Sequence, residues 1–469
     1  MKSSMGAYDQ RWVTDGAWLS GLGGAFAVVA LAVYYHSASV LDKGLYLGAW
    51  RICVTRTDGL IFALLAVCLS MLIIEFTRLN YWHRSRGIKF FKLHPKLRKR
   101  SYFYFVLESL VLYFSGLLLL TIIYAFYRYA GEYGFQNQAL YYQPWFRFVE
   151  LCYSAYLYAG FPYVLITRAF KYSIKSDRMD YGWYMLRLIY TPLKNLLSLS
   201  PSGLNLTNND KKLTLSILVK VFFAPLMTVF FFDQFPHFIN NVGYLSGVFW
   251  GDFWQAEQSA NYSHSNFNSD LYNISISFIF SIDVALAWCG YIVSSRWVDN
   301  QTLSTEATAL GWLVCLLCYP PFQRELGLYF SPPSERQLMY LFEQQWLISV
   351  FLVLMLLSYL LYMLSTLCFG VRFSNLTNRG IIRSGPYAYI RHPAYASKNF
   401  AWWFLMFPAL LYSAISYEVI PALLQCLGLL LMSWLYYWRA LTEERHLQAD
   451  PAYRSYCQRV KYRFIPGFL

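Results

Sequence analysis

The chain is a succession of long apolar stretches separated by short polar ones. A helix that crosses a bilayer's hydrocarbon needs about 20 mostly apolar residues. Stretches near that length lie at 17–36, 57–77, 103–127, 145–167, 213–232, 271–294, 307–321, 345–369, 400–416 and 419–438. The seventh and ninth are short and read as tilted hairpin arms. Backbone groups in hydrocarbon must satisfy one another, so repeated apolar segments of this length fold as helices. The expected fold is all-α: a polytopic transmembrane helix bundle of about ten spans. Composition agrees, with 57% hydrophobic and 14% charged residues, against about 25% charged in soluble chains. It excludes a disordered chain and a small disulfide scaffold. The first stretch is flanked by Asp9 and Asp15 as well as Lys2 and Arg11. It is also longer than a signal-peptide core, so it reads as a retained span.

Net charge is +14, from 39 Lys+Arg and 25 Asp+Glu. On a soluble domain that excess suggests nucleic acid. Here its position argues for a membrane. Segment 78–100 is basic from Arg78 to Arg100 with no acid, and 168–212, 371–398 and the tail after Arg439 are also basic. Segment 233–269 has no Lys or Arg. Basic loops stay cytoplasmic. With an even span count, all four clusters and both termini fall on that side, where the basic loops meet anionic lipid headgroups. Nucleic acid is not an expected partner. The 233–269 segment, with Phe235-Pro-His-Phe238 and Phe249-Trp-Gly-Asp-Phe-Trp254, reads as an outer loop. It serves as an aromatic belt, a lid or an interfacial helix. Asn261-Tyr-Ser263 matches a glycosylation sequon.

Ionisable groups within spans are functional candidates by default. Asp283 is the most central of them. It either lines a polar cavity, pairs with a basic group, or links helices by hydrogen bonds. Arg147 and Glu150 share a helix face three residues apart and read as a local ion pair. Lys220 and Glu108 sit near span ends, within reach of the interface. Most of the nine cysteines lie in apolar stretches. Cys315 and Cys318 form a C-x-x-C that no second pair completes, so it reads as packing and no metal site is expected.

The chain divides into a membrane body, 1–344, and a distinctive C-terminal module, 345–469. In the module a loop reads Gly385-Pro-Tyr-Ala-Tyr-Ile-Arg-His-Pro-Ala-Tyr395. Pro393 can open a helix, whose free N–H groups favour an anion. Arg391 adds a planar fork suited to carboxylate or phosphate. After the last span comes Thr442-Glu-Glu-Arg-His446. Together these elements suit a cofactor of mixed charge. Equally, Arg391, Glu443 and Glu444 suit interfacial ion pairs that lock the hairpin.

Gly385-Pro386 with Arg391-His-Pro-Ala-Tyr395, the two apolar arms, Glu443-Glu444, Tyr453-x-x-Tyr456 and Ile465-Pro466 resemble the isoprenylcysteine carboxyl methyltransferase family. Membrane phospholipid methyltransferases are related to it. The resemblance covers roughly the last 95 residues. It implies an S-adenosylmethionine cofactor at the cytoplasmic membrane face and a lipid or lipidated acceptor that enters between spans. Carried over by position, Tyr389, Arg391, His392 and Tyr395 line the cofactor pocket from the loop. Glu443 and Glu444 line it from the helix. His392, Arg391 and Glu444 are the residues closest to catalysis on this reading. The chain departs from the family at Ser397, where Gly is usual, and at Lys398 and Asn399, where apolar or aromatic residues are usual. It departs again at Ala449-Asp450. These departures leave the acceptor open. The tail is also similar to the sterol C14- and C7-reductases, which have about ten spans and would imply NADPH instead. Ser397-Lys398 and Thr442-Glu443-Glu444 lean away from them. A third reading, a lipid transporter or receptor on the same fold, would need no cofactor.

Overall fold

The computed structural model describes residues 11–48, 50–85, 91–93, 102–130, 139–172, 184, 187, 190, 207–250, 263–323, 341–416 and 419–468. The helices are α1 (Arg11–Asp15), α2 (Trp18–Ser37), α3 (Val40–Lys43), α4 (Arg56–Ser85), α5 (Tyr102–Tyr129), α6 (Ala139–Ala169) and α7 (Asn208–Trp250). They continue with α8 (His264–Ile292), α9 (Ala309–Leu316), α10 (Gln345–Phe369), α11 (Pro393–Ile415), α12 (Val419–Leu447) and α13 (Pro451–Arg459). Three two-stranded antiparallel pairings join β1 (Leu45–Leu47) to β2 (Trp50–Cys53), β3 (Phe91–Leu93) to β4 (Phe170–Tyr172), and β5 (Ser304–Thr305) to β6 (Thr377–Asn378).

Among the described residues, eight helices are long and apolar enough to cross a membrane: α2, α4, α5, α6, α7, α8, α10 and α12. The protein is a polytopic helical membrane protein. Two of the ten expected spans differ. The stretch at 307–321 forms only the eight-residue α9, about 12 Å long. It is too short to cross by itself, and Pro320-Pro321 follows it. The stretch at 400–416 belongs to the 23-residue α11. That helix has the length but carries Ser397, Lys398 and Asn399 in its first turns, and it falls outside the eight. The outer loop expected at 233–269 is largely helix, because α7 continues to Trp250 and α8 starts at His264. Of the aromatic loop and the sequon, residues 251–262 lie outside the described residues, and Ser263 caps α8 by accepting from the Asn266 N–H at 3.2 Å. Most of the basic segments 86–100 and 173–206 also lie outside them.

The chain forms two compact units. One holds residues 75–229 and 295–301. Within it α5 packs on α6, with Tyr113 stacked on Tyr156 at 5.5 Å. Glu108 pairs with Arg168 at 2.8 Å across these helices, and Arg147 pairs with Glu150 at 3.8 Å along one.

The other unit holds residues 1–74, 230–294 and 302–469. Here α8 and α10 run parallel. Near their starts, Asn268 donates to the Gln345 carbonyl at 3.3 Å, and Ser349 donates to Asn268 at 2.8 Å. At the other end, the Asn375 N–H, just past α10, donates to the hydroxyl of Tyr291 in the last turn of α8 at 3.2 Å. Between Ile292 and Gln345 the chain must therefore return to the starting end, and α9 lies on that return. α2 approaches α10 closely because Gly21 has no side chain: a Cβ there would stand 2.0 Å from the Leu367 carbonyl oxygen. α10, α11 and α12 pack as neighbours, and the loop between α10 and α11 folds over their shared end.

Candidate functional site

The 371–392 loop is tied down residue by residue. Arg379 reaches back to the Gly290 and Val293 carbonyls. Asn378 accepts from the Gly380 N–H at 2.8 Å and donates to Asp450 at 2.8 Å. Asp450 in turn caps α13, accepting from the Ala452 N–H at 2.9 Å. Ile381, Tyr453, Tyr456 and Val460 form one buried cluster beneath the loop. Ala17, Cys368, Ile382 and Tyr387 form another. The tail then pairs with the loop: the Arg391 N–H donates to the Tyr462 carbonyl at 3.0 Å, and the His392 N–H to the Arg463 carbonyl at 2.9 Å. Immediately afterwards Pro393 opens α11, where its missing N–H costs nothing.

These elements enclose a cleft of about 1260 Å³, open mouth included. Its lining includes Tyr387, Arg391, His392, Tyr395 and Glu443. Of the six residues expected at a cofactor pocket, four therefore lie on its wall. Tyr389 does not: it is 73% exposed and absent from the lining, and Tyr387, two residues earlier, is there in its place. The backbone turn over Gly385–Ala388 sets this difference by burying Tyr387 against Phe369 at 5.3 Å. Burial, and next the negative charge of Glu443, push the Tyr387 phenol well above its ordinary range, so it stays protonated.

Glu444 is also off the wall. It is buried and meets two arginines and an imidazole: Arg391 at 3.1 Å, His392 Nε2 at 3.2 Å and Arg463 at 3.0 Å. Arg391 also donates through Nη2 to the Lys461 carbonyl at 3.0 Å, while its buried Nε has no hydrogen-bond partner. The ion-pair lock considered from sequence thus exists for Arg391 and Glu444. Glu443 differs. Adjacent helix residues point about 100° apart, and Glu443 turns to the cleft, where it accepts from the Tyr395 hydroxyl at 2.6 Å. The Tyr395 ring lies parallel to that of His392 at 5.4 Å. His392 sits between the two carboxylates, with Nδ1 at 4.0 Å from Glu443.

Several wall residues were not singled out from sequence as site residues. Glu306 arrives from the segment before α9, held by the β5–β6 pairing. It is buried; Oε1 accepts from the Thr308 N–H at 2.8 Å, while Oε2 has no hydrogen-bond partner. Arg439 and Lys398 line the inner part. Cys315 of the C-x-x-C also lines the cleft, as a free thiol. Asp283 lies beside Tyr362 and Thr366 and feels the charge of Lys398. Of the roles open to it from sequence this is the link between helices, α8 to α10; no ion pair with Lys398 forms.

The structure so far defines a multi-pass membrane protein with an enclosed, charged cleft at one end of its helices. Residues 345–449 match the isoprenylcysteine carboxyl methyltransferase family. No curated protein and no solved structure matches the chain. The C-terminal region is therefore a domain of a family of membrane methyltransferases that use S-adenosylmethionine on isoprenylated or lipid acceptors. The match takes in the Arg391–Tyr395 motif, Glu443 and Glu444, and it decides for S-adenosylmethionine over NADPH.

Proposed function

We propose that the cleft is the S-adenosylmethionine site and that Glu443 is its chief anchor. The observation that carries this reading is the division of labour between neighbouring carboxylates. Glu444 is saturated by Arg391, His392 and Arg463, while Glu443 accepts one hydroxyl and faces the cleft. The donor set fits the cofactor. An ammonium and two ribose hydroxyls need acceptors, and the cleft supplies Glu443 and the unpartnered Oε2 of Glu306. The rings of Tyr387, Tyr395 and Tyr436 supply apolar faces for adenine and the methionine chain.

When bound, S-adenosylmethionine supplies an electrophilic methyl group. This chain's own contribution is alignment and exclusion of water, which carry much of such a transfer. Arg391 holds the loop against Glu444 and acts as a positioning residue. His392 places Nδ1 toward the cleft, 4.0 Å from Glu443, where an amine acceptor would need a base; a carboxylate acceptor needs none.

In this reading residues 345–469 form the catalytic module, with Glu306 entering from the body before it. The cleft faces the cytoplasm, supported by the basic character of the loop and tail that build it. The acceptor enters sideways from the bilayer, and the basic loops hold anionic headgroups. Calorimetry on the detergent-solubilised protein tests the site. S-adenosylhomocysteine should bind and NADPH should not; binding of NADPH alone would refute the assignment.

A further inference from the structure

After α13, residues 460–468 form a strap along the mouth of the cleft. The Tyr462 and Arg463 carbonyls accept from the Arg391 and His392 N–H groups at 3.0 and 2.9 Å. The Arg463 side chain holds Glu444 at 3.0 Å. The Phe464 ring lies between two others, 5.8 Å from His392 and 6.1 Å from Tyr437 of α12. The strap is therefore fixed on one side to the loop that carries His392, and on the other to a helix long and apolar enough to cross the membrane.

The contact with Tyr437 sets the depth of the strap. Tyr437 is exposed and sits among Trp434, which is 58% exposed, and Trp438, whose rings meet edge to face at 6.1 Å just before Arg439. Exposed tyrosine and tryptophan at the end of a span's apolar run mark the level of the lipid headgroups. Phe464 packs at that level, so the residues around it meet the bilayer surface. Their chemistry fits it. Tyr462 and Ile465 are exposed, and Phe468 is 80% exposed. Tyr389, turned away from the cleft, lies two residues before the Arg391–Tyr462 bond and adds another outward ring. Past Asp450 the chain has four basic residues and no acid, and Arg454, Arg459 and Lys461 are exposed. Large apolar side chains beside cations hold to an anionic lipid interface by both burial and charge.

We propose that residues 459–468, with Tyr389, form an interfacial anchor that docks on anionic lipid at the cleft end of the helices, and that this docking holds the mouth in its cofactor-binding form. The anchor stands by itself; its effect on the cofactor rests on the methyltransferase reading. The coupling runs through the strap, because the groups that hold the Arg391–His392 backbone and Glu444 belong to the segment that meets the lipid. Linkage makes it reciprocal: lipid that favours the docked strap tightens cofactor binding by the factor by which cofactor tightens docking.

The test uses the full chain in nanodiscs of phosphatidylcholine with and without phosphatidylserine. Phe468→Cys is labelled with bimane, and the natural protein, treated in parallel, gives the background from its own cysteines. A nitroxide near the top of the lipid acyl chains should quench the bimane strongly, and a water-soluble nitroxide only weakly. S-adenosylhomocysteine affinity is then measured in both kinds of disc. Phosphatidylserine should tighten it about two- to fivefold in the natural protein, the upper figure being the attraction of one basic residue to an anionic leaflet. Arg459→Gln combined with Lys461→Gln should abolish that gain and leave affinity in pure phosphatidylcholine unchanged. Bimane quenched only from water would overturn the proposal and give the exposed rings to an occupant in solution. Equal S-adenosylhomocysteine affinity in the two discs would also overturn it, as would a phosphatidylserine gain that survives the double substitution. If the natural protein binds no S-adenosylhomocysteine in either disc, the methyltransferase reading falls separately, and the quenching still decides the anchor.

Discussion

The mouth and the inner end of the cleft handle charge in opposite ways. At the mouth Arg391, His392 and Arg463 all converge on Glu444. At the inner end Lys398 and Arg439 meet aromatic rings and an amide. Charge closed on itself holds a loop in place. Charge left open toward a cavity waits for a ligand. Motif residues alone do not separate the two uses, because Arg391 and His392 immediately precede α11, which carries Lys398, and Glu444 follows Arg439 by five residues on α12.

The largest expected effect is at the closed set. Glu444→Ala strands Arg391, Arg463 and the His392 ring around a buried site, and removing one partner from such a cluster costs about 3 kcal/mol or more. A clear fall in melting temperature should result, with loss of S-adenosylhomocysteine binding as the loop loosens. If Glu444→Ala melted like the natural protein, the distinction between a locked mouth and an open inner end would be lost.

Gly385→Ala tests the loop without touching charge. Gly385 has φ +61°, and a Cβ there would stand 2.6 Å from the Cys368 sulfur. The left-handed conformation alone costs a residue with a side chain about 1–2 kcal/mol. The sulfur sits in a packed cluster with Ala17, Ile382 and Tyr387, so it has little room to give way. Expected are a lower melting temperature and weaker S-adenosylhomocysteine binding, both smaller than for Glu444→Ala. The exposed Gly467, also at positive φ but with open space around it, is the control.

How much of this was legible in the sequence follows from distance along the chain. The spans were legible because apolar runs of the right length have few other solutions. The differences were local: α9 stops after eight residues ahead of Pro320-Pro321, and α11 starts at Pro393, so Ser397, Lys398 and Asn399 precede the apolar stretch on the same helix. At the site, Arg391, His392, Tyr395, Glu443 and Glu444 stood out as motif residues. Which glutamate faces the cleft did not, because it depends on the rotation of α12 about its axis. Tyr389 and Tyr387 exchanged places for a similar reason, the turn at Gly385–Ala388. Glu306 was out of reach. It comes to the cleft through a two-residue strand pairing with Thr377–Asn378, and so short a pairing leaves no periodicity to read. A solitary acid next to Thr308, the helix cap of α9, was the available signal.

Glu443→Gln sharpens the comparison from the other side. The amide keeps the shape and can still accept from Tyr395, so the melting temperature without ligand should barely move. Affinity for S-adenosylhomocysteine should fall about tenfold, as expected when a charge-assisted hydrogen bond becomes a neutral one. The opposite pattern, lost stability with normal affinity, would make Glu443 a second structural carboxylate and leave Glu306 as the acidic anchor.

The smallest effect is expected where charge is closed but exposed. Arg383 of the loop pairs with Asp15 at 3.2 Å, and the Asp15 side chain is 52% exposed. Solvent screens such a pair, and exposed ion pairs contribute at most about 1 kcal/mol. Asp15→Asn should therefore shift the melting temperature by a degree or two and leave S-adenosylhomocysteine affinity unchanged. Ala17, between α1 and α2, also packs in the buried cluster with Ile382 and Tyr387 of the loop, which this substitution leaves intact. A large loss of affinity in Asp15→Asn would mean that the N-terminal segment governs the mouth electrostatically. The mouth would then have an open charge of its own, and the contrast with the inner end would have to be redrawn around Asp15 and Arg383.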